Sequence, residues 1–186
     1  MNIRPAQLSD LDTLMEIDGT IESSRYLHVD RSGEGFALTW KLEERPLRTK
    51  LINSNVFDDE RRFVVKQLLT GGEEGVALVA EHEGQPAALA AAVVDFVTHT
   101  MRIVDLRVDY DFRRQGLGTA LLYQCIHIAR ERALRAVTAR VLTNNVPGAQ
   151  FLAKASFELA GIDTHLQSNH DLVKESVTLF WYAALD

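Results

Sequence analysis

The chain has 186 residues, 46% of them hydrophobic and 25% charged, with a mean hydropathy of −0.08. That describes one soluble globular domain over residues 1–186, long enough to bury roughly 70% of its unfolded surface without disulfides or a structural metal. The 20 Lys and Arg against 26 Asp and Glu give a net charge of −6, which excludes the basic footprint of a nucleic-acid binder or an acidic-membrane binder and mildly favours cationic partners.

In chain order, a short strand at Asn2 to Arg4 comes first. Ser9-Asp10-Leu11-Asp12 has the spacing of a capping box, and Leu11, Leu14 and Met15 recur at helical spacing, which predicts a first helix up to Gly19. From Ser23 to Asn55 the pattern is poor. Tyr26 to Val29 and Ala37 to Leu42 read as strands or as irregular chain around a turn at Ser32-Gly33-Glu34-Gly35. Asp58-Asp59-Glu60 then puts negative charge where a helix N-terminus is partly positive, and Phe63, Val64, Leu68 and Leu69 form the apolar stripe of a second helix that Gly71-Gly72 stops. Gly75 to Glu81 and Ala87 to Phe96 are β-prone, joined by the hairpin-type loop His82 to Pro86. Met101 to Val108 makes a further strand.

The run Ala87 to Val94 is the longest apolar stretch and falls far short of the roughly 18 residues that span a bilayer. No apolar signal core follows Met1, so no membrane partner and a cytoplasmic location are expected. After the Met101 strand, Leu121, Leu122, Cys125, Ile126 and Ala129 describe a long amphipathic helix. Ala136 to Leu142 is another strand, Pro147 fits the first turn of a short helix to Ala155, and Phe157 to Ile162 and Val177 to Tyr182 close the chain as strands. Hairpins first, then strand and helix in alternation, predict an α/β (α+β) fold with a mixed, mostly antiparallel sheet flanked by helices.

Chemistry concentrates between the Met101 strand and the long helix, in Asp109 to Thr119. The N–H groups at a helix start lack partners and the dipole adds partial positive charge, so this geometry favours a phosphate by roughly 0.3 to 2 kcal/mol. Gly116 and Gly118 let a ligand approach the backbone, and Arg113 and Arg114 add charge-assisted donors. A dinucleotide fingerprint fails because its third small position is Leu121, and a P-loop fails because no lysine follows.

What is left is R-x-x-G-x-G, Arg113 to Gly118, and here the chain resembles the GNAT superfamily of N-acetyltransferases. The resemblance covers about residues 76–182, and it implies a GNAT-like sheet with the acyl-CoA held where two neighbouring strands splay apart. By that resemblance, Arg113, Arg114, Gln115, Gly116, Gly118 and Thr119 hold the pyrophosphate of acetyl-CoA. Ile103 to Val108 looks like the strand whose backbone pairs with the pantetheine arm, near Leu106 and Val108. Asn145, followed by Phe151 to Phe157, looks like the family's pantetheine-contacting asparagine and its helix. The family's frequent proton-donating tyrosine falls here at Leu152, which has no proton to give, so either Tyr182, Tyr110 or a water serves or the thiolate leaves without help. Fainter similarity to streptothricin acetyltransferases rests on Asp105, on Gly161-Ile162-Asp163 and on Phe180-Trp181-Tyr182.

The implied reaction is acetyl transfer from acetyl-CoA to a primary amine of a small molecule such as streptothricin or a polyamine. A protein N-terminus or lysine is the alternative acceptor, and an acyl-CoA-binding regulatory module with little turnover is the alternative of another class. Asp105 is the first candidate for base or ammonium anchor and Tyr182 for the acid, although Asp105 also reads as a strand-end carboxylate paired with Arg102 or Arg107. Asn145 also reads as a loop or cap residue. The acceptor side is placed in the variable region, about residues 19–72, where Trp40 and Tyr26 either line the site or pack the first helices. No metal is expected, since the six histidines lack ligand spacing. Cys125 reads as core, and the chain as a monomer or homodimer.

Overall fold

The computed structural model describes residues 1–185, and among them are nine strands and four α-helices in mixed order. The chain divides into two compact units. The first takes Met1–Thr20, Ser54–Ala139 and the chain from Ala183 on, and the second takes Ile21–Asn53 and Arg140–Tyr182.

The first unit carries strands β1 (Asn2–Pro5), β4 (Gly75–His82), β5 (Gln85–Asp95), β6 (Thr100–Val108) and the start of β7 (Ala136–Leu142), hydrogen-bonded in the order β1-β4-β5-β6-β7. All pairs are antiparallel except β6 with β7. The β4–β5 turn is two residues, Glu83 at φ +51° and Gly84 at φ +80°, the doubly positive backbone that matches the twist of a hairpin. Helix α1 (Leu11–Met15) and α2 (Asp59–Thr70) cover one face. There Leu11, Leu14, Ile17, Phe57, Val65, Val79, Leu89 and Ala91 form a buried cluster. With a period of two, Ala88, Ala90 and Ala92 take the opposite face, where their small side chains let α3 (Leu117–Glu131) approach. Leu121, Leu122, Cys125, Ile126 and Ala129 are buried on α3. Burial pushes the Cys125 thiol up to about 12, so it is an inert core side chain.

Two expectations need correction in this unit. The first helix is only five residues long after a 3-10 turn at Leu8–Asp10, and no capping box forms at Ser9. Asp10 instead takes both terminal nitrogens of Arg4, at 2.7 and 3.0 Å, and the Gln7 N–H at 2.7 Å. The Asp18 carboxylate accepts from Thr20 N and Oγ1, a local turn that competes with further helix. On α2, Asp58 caps the N-terminus by accepting from Arg61 N at 2.8 Å, and Gly71 ends it at φ +78°. Phe63, counted in its apolar stripe, is 62% exposed, and Val65 is the buried residue.

The second unit holds β2 (Ile21–Glu34) and β3 (Ala37–Asn53), helix α4 (Val146–Lys154), and β8 (Glu158–Asp163) and β9 (Thr178–Ala184), with β9 lying between β7 and β8 in the ladder order. The poorly patterned region is thus one long hairpin. Its pairing runs to Glu34 and Ala37, which moves the turn from Ser32–Gly35 to Gly35–Phe36. Trp40 and Tyr26 are hairpin residues, with Trp40 opposite Arg31 and Tyr26 opposite Arg45. Leu27 N donates to Thr143 O, and Thr143 N to Val177 O. Among the described residues no helix is long and apolar enough to cross a membrane.

Candidate active site

The turn from β6 to α3 is held by its own charged residues. The Asp109 carboxylate accepts from Asp111 N and from Asp18 N, both at 3.1 Å. Arg113 donates from Nε to the Val108 carbonyl at 3.1 Å and from Nη2 to the Asp18 carbonyl at 3.4 Å, with its guanidinium 5.0 Å from the Tyr110 ring centre. Its charge is turned toward main chain, so Arg113 braces the turn, while Arg114, Gln115 and Thr119 are exposed.

Gly116 caps α3 at φ +85°, and nothing lies within 4 Å of the place a Cβ would take. Glycine is the residue that holds this left-handed conformation without steric cost. Ala120 N already bonds to Gly116 O, and by helix geometry the N–H groups of Leu117, Gly118 and Thr119 have no partner inside the helix. A helix start of this kind is suited to an anion.

Strand β6 supplies the second component. Its parallel pairing with β7 is described at Thr100, Met101 and Arg102 only, so among the described residues Ile103 to Val108 have ladder partners on β5 alone. On the β5 side, Ala91 pairs with Asp105 and Ala92 with Ile103, leaving Val104 as the extra residue of a bulge. Bulges re-aim side chains, and here Arg102, Val104 and Asp105 all line one cavity of about 350 Å³ together with Asp58, Glu60, Arg61 and Glu73.

Asp105 is not at a strand end. It is 8% exposed and held by Arg107, Nε to Oδ1 and Nη2 to Oδ2, both at 2.7 Å. Arg61 Nε stands 3.4 Å from Oδ2. Of the two arginines that the sequence offered, Arg107 makes the pair because residues two apart share a strand face. Arg102, the other arginine the sequence offered, lines the cavity instead, together with Arg61; Arg61 was missed in the sequence, where nothing local separates it from a surface arginine.

The remaining candidates lie in the second unit. Asn145 Oδ1 accepts from Gly148 N at 3.0 Å, so this side chain caps α4. Tyr182 is half-buried on β9, opposite Glu158. Leu152 is 4% exposed within the apolar side of α4.

The family model described as Acetyltransferase (GNAT) family matches residues 36–157. The chain is 26% identical over 172 residues to the streptothricin acetyltransferase of Streptomyces lavendulae, a match covering 88% of this chain and 84% of that one. It is 35% identical over 80 residues to streptothricin acetyltransferase A of Bacillus subtilis (strain 168), where the match spans 43% of this chain and 46%, about half, of the relative. Among solved structures, nourseothricin acetyltransferase has the same fold at a TM-score of 0.80 and 21% identity, over 100% of this chain and 98% of that one. A Bacillus anthracis str. Ames protein assigned as a streptothricin acetyltransferase and solved with acetyl coenzyme A gives a TM-score of 0.78 at 20% identity, over 100% and 97%. With its family match running through most of the sequence and its fold shared along the full length of both structures, the chain belongs to the acetyltransferase (GNAT) family, whose acetyl donor is acetyl-CoA.

Proposed function

We propose that residues 1–186 act as one cytoplasmic N-acetyltransferase domain that moves an acetyl group from acetyl-CoA to a primary amine of a small molecule. The observation that carries this reading is the left-handed Gly116 at the start of α3, on the turn that follows β6, a strand whose pairing with β7 stops at Arg102. In this reading the N–H groups of Leu117 to Thr119, with Gln115 and the exposed Arg114, hold the pyrophosphate, and Arg113 keeps the turn in shape. The main chain at Leu106 and Val108 pairs with the pantetheine arm; the family resemblance adds Asn145, whose Oδ1 caps α4.

The amine nitrogen attacks the thioester carbonyl carbon, the C–S bond breaks and the CoA thiolate leaves. A primary amine with an ordinary pKa of about 10.4 must first lose a proton, which passes to water, at a cost of about 4.6 kcal/mol at pH 7. Asp105 Oδ2 is the anchor for the incoming ammonium, in the cavity beneath α2. Leu152 is apolar and buried, so Tyr182 is the proposed donor to the thiolate. A cationic acceptor of the streptothricin or polyamine kind is supported by the acidic side chains of the cavity, Asp58, Glu60, Glu73 and Asp105, and by the names of the relatives.

Asp105→Asn tests the assignment. In a CoA-thiol release assay with streptothricin or spermidine as acceptor, turnover is expected to fall while acetyl-CoA affinity, measured by calorimetry, is kept. Unchanged turnover would overturn the anchor.

A further inference from the structure

Arg107 is 3% exposed on a strand that runs through the core of the first unit. A buried guanidinium is costly unless every part of it is engaged, and here it is. Nε and Nη2 hold the two oxygens of Asp105, Nη1 donates to the Asn55 carbonyl at 3.1 Å, and the plane lies 4.8 Å from the Phe57 ring centre. Gly19 closes the remaining side, since a Cβ there would stand 3.0 Å from Nη1. Stability does not ask for this arrangement, because buried ion pairs are often replaced by apolar residues without loss. What an apolar pair cannot do is fix the direction of a carboxylate.

We propose that Arg107 is a positioning residue for the acetyl transfer: its two-point contact locks the Asp105 carboxylate so that Oδ2 faces the cavity beneath α2. This rests on the function proposed above. Arg61, 3.4 Å from Oδ2 and with 35% of its side chain exposed, is the looser partner that an acceptor ammonium displaces. Arg107 therefore acts through Asp105 and touches neither substrate.

The test compares wild type with Arg107→Lys, Arg107→Met, Asp105→Leu and the Asp105→Leu/Arg107→Met pair. The readouts are kcat and KM for streptothricin or spermidine, calorimetric titration of acetyl-CoA, and thermal midpoint. Arg107→Met is expected to bind acetyl-CoA within about twofold of wild type and to lose about 10- to 100-fold in kcat/KM for the amine, the scale of a misplaced group. Lysine, which keeps the charge without the planar fork, is expected to restore only part of it. The apolar pair is expected to recover the thermal midpoint lost in Arg107→Met and to be no more active than Asp105→Leu alone. Wild-type kinetics in Arg107→Met, or activity that returns together with the midpoint in the double variant, would overturn the positioning role. A wild-type chain that acetylates no amine in the panel would overturn the proposed function and this role with it, a result told apart from the others because it needs no variant.

Discussion

Leu152 stands where the family resemblance leads one to expect a tyrosine, and its surroundings explain the difference. It is 4% exposed on α4, on the side that also buries Val146 and Ala149, so a hydroxyl there would be sealed away from water. Leu152→Tyr is accordingly expected to destabilise by about 1 to 3 kcal/mol through overpacking and to add nothing to kcat, as thermal unfolding and turnover would show. At Gly116 the backbone, not the side-chain space, is the constraint, with φ +85° and open surroundings. Gly116→Ala should cost about 1 kcal/mol and weaken acetyl-CoA severalfold in calorimetry, because the strain falls on the residue that aims the helix N–H groups. Such residues are legible in a sequence, since spacing alone encodes the turn. The partner of Arg113 is not, because R-x-x-G is the same whether the guanidinium meets a phosphate or, as here, the Val108 carbonyl. Alternation placed Asp105 and Arg107 on one face, whereas Arg102 reaches the same cavity through a bulge at Val104 that no local pattern marks.

Among the elements, those that face a core on one side were readable and those that do not were obscure. Strands β4 to β6 and helix α3 announce themselves through period and apolar content. The β2–β3 hairpin does not. Its strands are 14 and 17 residues long with Ser23 as their one buried position; beyond Leu38, Trp40 and Leu42, charges fall on both faces and the alternation that marks a half-buried strand is lost. The first helix shows the opposite error, a helical spacing cut short because Asp18 binds Thr20 instead of extending it. Helix α2 depends visibly on its cap. Asp58→Ala removes the acceptor for Arg61 N and should cost about 1 kcal/mol, lowering the thermal midpoint by about 2 to 4 °C. The loss should be smaller for Asp58→Asn, which keeps an acceptor.

For the molecule as a whole, acid is the informative stress. Arg4 joins β1 to β4 by holding both Asp10 and Glu81, at 2.7 and 2.6 Å. Its hydrogen bonds hold the Asp10 carboxyl below the usual range, and Asn2 with Arg4 does the same for Glu81. Carboxyls depressed in the folded state add stability above their unfolded values and lose it as pH falls through the folded ones. The thermal midpoint is therefore expected to be level near neutrality and to fall from about pH 4 downward, with a shallower fall in Arg4→Ala, where Asp10 keeps only the Gln7 N–H and Glu81 only Asn2; equal slopes in the two proteins would contradict this. The net charge of −6 and the acidic residues of the cavity support a cationic acceptor for the proposed transfer. The most direct measurement is CoA-thiol release from acetyl-CoA over a panel of streptothricin, aminoglycosides, polyamines and short peptides, run beside calorimetric titration of acetyl-CoA alone. The account predicts saturable acetyl-CoA binding and release with small cationic amines; binding without release from any of them, or release with peptides only, would contradict it.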